Sequence, residues 1–347
     1  LSAFEQSELE HLYTDLLNNE ISLNAVYKLA SKVTSFYGEA GYLLSRAVVP
    51  AQTIEDGSIQ IQIVEGYIDQ VVIESLDGLR PDIFDYMIEK IQASRPLTAA
   101  VLERYLLLAN DIAGISFKSI LNPSTTNIGA TILSLKATKT PWQGLFSLDN
   151  RGSDTSGSMQ ALFEATGNNF LNRLDSTTLR FATVPNDPQE LRYWQFNHQQ
   201  VLNGEGLRVM FDYSHTESEP GGTVLEQLDV ISRSRSLGLN FSYPYIRSRE
   251  RNLTVNGGVI LRDTSTVVLE QTTSNDELTI LQLGLVYDQA DSWNGGGVNL
   301  ISASLKQGIK ALGAKVDSRL SADSTLTSLL LQARRYQTLN SNWSADL

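Results

Sequence analysis

The chain has 347 residues, no cysteine, 27 Lys and Arg against 39 Asp and Glu, and a formal net charge of -12. The missing thiols exclude disulfides, thiol catalysis and cysteine-based zinc sites, and the acidic balance repels phosphate backbones, so nucleic acid is not an expected partner. No run approaches the ~18–20 consecutive apolar residues of a membrane-spanning helix, whereas 41% apolar residues suits both a globular chain and a transmembrane β-barrel. With Leu1 in place of an initiator methionine and no leader-like segment, the sequence reads as a processed or excised piece of a longer chain.

Up to about residue 139 helical and strand periods alternate in short elements. Residues 7–17 put Leu9, Leu12, Tyr13, Leu16 and Leu17 on one helical face, and 23–36 do the same with Val26, Leu29, Ala30, Val33 and Phe36, behind Ser22 as an N-cap. Residues 42–48 read as a strand, Asp56-Gly57 as a turn, and 58–64 as a second strand with Ile59, Ile61 and Ile63 on one side. The order then recurs: a strand at 68–74, a helix at 79–93, a break at Pro96, a helix at 99–112 capped by Thr98, and strands at 115–121 and 130–136. The second unit is a complete βααββ module, and the first is the same module without its opening strand.

After Pro141 helical periodicity nearly vanishes, and alternating segments follow one another between polar, glycine-rich loops. Leu207, Val209, Phe211 and Tyr213 oppose Arg208, Met210 and Asp212; Leu237, Leu239, Phe241 and Tyr243 oppose Ser236, Gly238, Asn240 and Ser242. Leu281, Leu283, Leu285 and Tyr287 oppose Gln282, Gly284, Val286 and Asp288. A soluble β-sandwich also alternates, but a face of glycine, serine and charge, with aromatics at segment ends, fits a wet lumen and an aromatic girdle. At roughly 20 residues per strand and loop, residues 141–347 predict about ten antiparallel strands. Leu207, Val209, Phe211, Leu239, Phe241, Leu283 and Leu285 are expected to face lipid, and Arg208, Asp212, Asn240, Gln282 and Asp288 the lumen.

No arrangement of catalytic residues emerges, and no cofactor or metal is expected. Asp154-Thr155-Ser156-Gly157 lacks the second carboxylate segment that aspartic-protease chemistry requires. His11, His198 and His215 have no ligand spacing, Asn294-Gly295-Gly296-Gly297 reads as a turn, and Asp288 and Asp291 read as solvated acids before a cation site.

The segment from Tyr37-Gly38-Glu39-Ala40-Gly41-Tyr42 through Leu43-Leu44-Ser45-Arg46-Ala47-Val48-Val49-Pro50-Ala51-Gln52 resembles the first POTRA module of two-partner secretion transporters. These are the haemolysin activation/secretion outer-membrane proteins, TpsB or ShlB/FhaC/HecB, of the BamA-like superfamily. Ile54 to Gly57, Ile63 to Gly66 and Leu97 to Leu108 continue the resemblance; Asp149-Asn150-Arg151-Gly152, Ser242 to Arg249 and Gly284 to Gly313 resemble barrel strands. The resemblance implies POTRA modules at 1–66 and 67–139, the N-terminal part of a barrel at 140–347, and truncation at both ends relative to the family's plug helix, sixteen-stranded barrel and inward-folded loop. It also implies a monomer in the outer membrane of a Gram-negative-type bacterium, with periplasmic POTRA modules passing an unfolded adhesin, haemolysin or contact-dependent toxin to the barrel. A BamA-type assembly factor and a passive porin are the alternatives.

In a βααββ module whose first strand pairs with its last, the middle strand is left at the edge, where an extended cargo segment can add as a further strand. The edge candidates are Leu43, Leu44, Ser45, Arg46 and Ala47 in the first module and Ile115, Ser116, Phe117, Lys118, Ser119 and Leu121 in the second, with Ile115, Phe117 and Leu121 expected to grip apolar cargo side chains.

Overall fold

The structure, a computed structural model, describes residues 2–54, 57–74, 82–153, 155–318, 323–340 and 343–346. Asp56, residues 79–81 of the third expected helix and Asp154 lie outside them. The chain divides into two compact units, one of residues 1–111 and 115–138, the other of residues 112–114 and 139–347.

The first unit begins with α1 (Gln6–Leu9), two 3₁₀ turns at Glu10–Leu12 and Thr14–Leu16, and α2 (Leu23–Glu39). The single helix expected over 7–17 is thus broken. Tyr13 leaves helical geometry at φ -130°, and the Thr14 hydroxyl bonds back to the Glu10 carbonyl at 2.6 Å. Tyr, Thr and Asp in succession give the backbone little helical preference to resist this. Helix α2 starts as predicted, with Ser22 Oγ accepting the Ala25 N–H at 3.3 Å, and buries Val26, Ala30, Val33 and Tyr37 along one stripe. Leu9, Leu12, Val33 and Tyr37 form a buried cluster against which Ala47 and Ile63 pack.

Strands β1 (Arg46–Val48) and β2 (Gln62–Val64) pair antiparallel and are much shorter than the runs 42–48 and 58–64 suggest. Gly41 at φ +90° and a turn closed by the Ser45 N–H on the Tyr42 carbonyl occupy the start of the first run. In the second, the Gln52 amide takes the place of a neighbouring strand: its Oε1 accepts the Gln60 N–H at 2.7 Å and its Nε2 donates to the Gln60 carbonyl at 2.8 Å.

Next come β3 (Tyr67–Glu74), α3 (Asp82–Ala93), α4 (Ala99–Asn110), β4 (Ile115–Pro123) and β5 (Ala130–Lys139). Thr98 caps α4 through the Val101 N–H. Strand order is β3-β5-β4, with β3 and β5 parallel, so the first strand pairs with the last and β4 takes the edge. The two helices pack on each other and on the sheet, burying Phe84, Met87, Leu102, Tyr105 and Leu108 with Ile68 and Leu133.

The second unit is one sheet of eleven strands in sequential antiparallel order: β6 (Trp142–Asp149), β7 (Gln160–Asn168), β8 (Asp175–Thr183), β9 (Arg192–Val201), β10 (Arg208–Ser218), β11 (Ile231–Arg247), β12 (Arg251–Val268), β13 (Gln271–Asp291), β14 (Gly297–Ile309), β15 (Thr327–Thr338) and β16 (Ser344–Asp346). A short helix, α5 (Thr223–Gln227), in the β10–β11 connection and a 3₁₀ turn at Trp293–Gly295 are the helical elements after residue 150 among the described residues, and periodicity over so few residues does not reveal them. The turn between β13 and β14 uses Asn294, Gly295 and Gly296 at positive φ, as the Asn-Gly-Gly-Gly run predicts.

Candidate functional site

The edge of β4 has a defined polarity. The Ser124 N–H donates to the Ala130 carbonyl across the hairpin at 3.0 Å, which places the backbone groups of even-numbered residues toward β5. Those of Ile115, Phe117, Ser119, Leu121 and Pro123 therefore point outward. Consistently, the Phe117 N–H is taken from outside the sheet by Asn110 Oδ1 at 2.8 Å, while Asn110 Nδ2 donates to the Leu106 carbonyl at 2.8 Å.

The side chains divide differently from expectation. Ile115 and Phe117 are only 6% and 8% exposed, and the Phe117 ring lies edge-on to Phe84 at 5.5 Å between centroids. They hold the strand to its own helices and are not available to grip a partner, because the pleat sends alternate residues beneath α3 and α4. Ser116, Lys118 and Ser119 are exposed, and Leu121, 42% exposed, lies beyond the part of the strand that the helices cover.

In the first module Leu43 and Leu44 lie in a turn, so the edge strand expected over Leu43 to Ala47 is reduced to Arg46 and Ala47. Ser45 is buried, its Oγ accepting the Gly66 N–H at 3.2 Å, and Ala47 donates its N–H to Thr34 Oγ1 of α2 at 2.9 Å. Gly66 is required there, since a Cβ would stand 2.3 Å from the Leu44 carbonyl oxygen. Leu43 remains 63% exposed.

Four residues of the first edge set and one of the second, Leu121, some 75 positions apart in sequence, meet around one half-open groove of about 560 Å3, which Ala47, Ile115, Ser116, Phe117, Lys118 and Ser119 do not line. Leu43, Leu44, Ser45 and Arg46 line it together with Leu121, Pro123 and residues 124–131. Thr34 and Val64 complete the wall. Neither had a sequence signal, because each is defined only by how the two modules meet.

Across β10 to β13 the large sheet keeps two chemically distinct faces, up to the Arg192–Glu217–Arg233 ion pairs at one end of the apolar one. Val209, Phe211 and Tyr213 stand opposite Phe241, Leu239 and Leu237 in β11, and Leu281, Leu283 and Leu285 follow on the same face beyond β12. Leu207 itself lies in the turn before β10, its N–H held by Asn203 Oδ1 at 3.1 Å. One level along this face an aromatic row crosses four strands: Phe146, Phe163, Phe181 and Trp194, with successive centroids 4.8, 6.3 and 4.2 Å apart.

The opposite face is polar and laterally bonded. Asn240 donates to Asp212 Oδ2 at 3.0 Å, Gln282 donates to Asn240 Oδ1, and Asn252 donates to Asp288 Oδ2 at 2.8 Å. Arg208 lies on the same face by register. The Gln282 bond spans β12 at Gly258, where a Cβ would stand 2.2 Å from Asn240 Oδ1. Sequence reading missed the second polar group on this face, where Arg180 bonds Glu164 and donates to Gln195 Oε1 at 3.0 Å across β7, β8 and β9; the directly opposed charges Glu164 and Arg180 were the available signal. Asp291 is engaged by Arg335 and Asn299, each at 2.7 Å, and among the described residues no group of His, Asp and Glu is arranged to hold a metal ion.

A ShlB-type POTRA domain model matches residues 1–66, and the model of haemolysin secretion/activation proteins ShlB/FhaC/HecB matches residues 129–347. The chain belongs to the ShlB/FhaC/HecB family. It is 22% identical over 243 residues to the heme/hemopexin transporter protein HuxB of Haemophilus influenzae strain 86-028NP, covering 70% of this chain and 42% of that protein. The same share of HuxB from strain KW20 / Rd matches equally. This chain thus spans about two-fifths of the length of the curated relatives it matches. Among solved structures, CdiB from Escherichia coli superposes with a TM-score of 0.73 at 17% identity, over 98% of this chain and 64% of that one. CdiB from Acinetobacter baumannii gives 0.60 at 15% identity, over 100% and 65%. These likenesses show the fold: α+β POTRA architecture followed by the antiparallel sheet of an incomplete transmembrane β-barrel.

Proposed function

We propose that the chain is the capture and entrance portion of a two-partner secretion transporter in the outer membrane. Residues 1–66 and 67–139 act as two periplasmic POTRA modules that hold an unfolded, large exoprotein, and residues 140–347 supply the N-terminal strands of the barrel that conducts it. The apolar face carrying Phe211, Leu239 and Leu283 meets lipid; the bonded polar face carrying Asp212, Asn240 and Gln282 meets the lumen. The protein works as one copy per pore and needs no cofactor, the cargo being threaded and not chemically altered.

The observation that carries this reading is the junction of an exposed β-edge with a half-open groove, walled in part by Leu43, Leu44 and Leu121, in a chain whose other half is an eleven-stranded antiparallel sheet. Main-chain bonding at an edge tolerates many cargo sequences, and the groove beside it adds apolar grip. Membership of the haemolysin secretion/activation family, together with a relative named as a heme/hemopexin transporter protein, supports an exoprotein cargo here.

The test is binding of the partner exoprotein's secretion domain to the full chain in detergent. Leu121→Pro removes an outward N–H without touching the β4–β5 ladder and should weaken binding at least tenfold in a protein that still folds. Undiminished binding by a folded Leu121→Pro protein would remove this edge from the account.

A further inference from the structure

Resting on the strand-addition reading, we infer that Asn110 and Pro123 bound the docking edge of β4 at its two ends and limit it to Ser119 and Leu121. Five residues of β4 face outward by this parity, Ile115, Phe117, Ser119, Leu121 and Pro123, and Ile115, itself buried, lies beyond Phe117 at the inner end. The Phe117 N–H is already held by Asn110 Oδ1 at 2.8 Å, and the Asn110 amide cannot turn away freely because its Nδ2 is tied to the Leu106 carbonyl at 2.8 Å. Pro123 has no N–H. Between Phe117 and Pro123, Ser119 and Leu121 therefore offer both an outward donor and an outward acceptor, so an added antiparallel strand forms two hydrogen-bonded residue pairs. Asn110 is a positioning residue for the partner.

The same geometry specifies the partner's chemistry. A residue paired with Leu121 points to the same face as Leu121, toward the groove lined by Leu43 and Leu44, so it is apolar. Arg46 is exposed on that groove and makes no ion pair among the described residues, so an acidic side chain beside the apolar one is favoured. The occupant is an extended segment of about five residues, alternating apolar and polar with one carboxylate. A short grip suits a cargo that must be released again, since each further bonded pair would slow dissociation.

The experiment measures binding of fluorescein-labelled peptides of five, seven and nine residues, alternating valine and threonine with one glutamate, to the full chain in detergent. For the parent, affinity should level off at five residues. In Asn110→Ala the freed Phe117 N–H should let the seven-residue peptide gain about threefold or more over the five-residue one, and Asn110→Asp, which keeps the acceptor, should restore the plateau. Amide exchange on the unmodified chain gives a reading that needs no variant: saturating peptide should protect Ser119 and Leu121 and leave Phe117 unchanged. Replacing the glutamate by lysine should weaken binding severalfold. Continued gain with length in the parent, or new protection at Phe117, overturns the inference while leaving strand addition in place. Absence of any peptide or secretion-domain binding by the parent overturns both.

Discussion

Glu65 illustrates how a single carboxylate fixes the start of the first module. Burial opposes its ionisation, but hydrogen bonds from the Ser2 hydroxyl, the backbone N–H groups of Ala3 and Ser2, and the Tyr37 hydroxyl hold its carboxyl below the usual range. Burial and the neighbouring Glu65 charge push the Tyr37 hydroxyl the other way, well above its ordinary value. A carboxyl whose pKa is lower folded than unfolded contributes stability above the unfolded value, about 4.3, and loses it as pH falls toward the folded value. Glu65→Gln should thus destabilise the chain by about 1–2 kcal/mol at pH 7, with the difference from the parent shrinking as pH falls below about 4, read by urea unfolding at the two pH values. A constant difference across that range would mean the charge is irrelevant. Two adjacent glycines make a second residue-scale comparison. A Cβ at Gly258 would stand 2.2 Å from Asn240 Oδ1 and 2.5 Å from the Leu239 carbonyl oxygen, whereas one at Gly257 meets nothing nearer than 3.8 Å. Gly258→Ala should cost about 1–3 kcal/mol in barrel folding titrations and Gly257→Ala little or nothing.

At the scale of elements, β4 separates two kinds of backbone group that look alike in sequence. Ile120 directs its amide toward β5 and Leu121 directs its own outward, so Ile120→Pro should lose a ladder bond and destabilise the second module by about 1–3 kcal/mol, while Leu121→Pro should leave its melting nearly unchanged. Equal destabilisation would show that the assigned polarity is wrong. Elements whose ends carry their own signals were legible: α2 and α4 begin at the Ser22 and Thr98 caps, and β10 to β13 follow their two-residue alternation. Elements decided by distant partners were not. The Gln52 side chain replaces backbone pairing at Gln60, which shortens β2, and the Asn110 clamp on Phe117 depends on the β4 register. The groove escaped sequence reading for the same reason, since Leu43 and Leu121 become neighbours only through tertiary packing.

For the whole molecule, β10 to β13 of the eleven-stranded sheet carry an apolar face opposite a hydrogen-bonded polar one, which agrees with the transmembrane barrel that the family match gives. In the full-length barrel Phe211→Arg near mid-membrane should cost roughly 2–4 kcal/mol, whereas Asp212→Asn, which retains an acceptor for Asn240, should cost little. On the function proposed above, secreted cargo is first held at the edge of β4. The most direct measurement of this is export of the partner exoprotein by cells whose sole transporter is the full-length protein, comparing parent with Leu121→Pro at equal outer-membrane levels. The variant barrel should assemble normally while exoprotein in the medium falls at least tenfold; parental export through a correctly assembled Leu121→Pro transporter would contradict cargo capture at this edge.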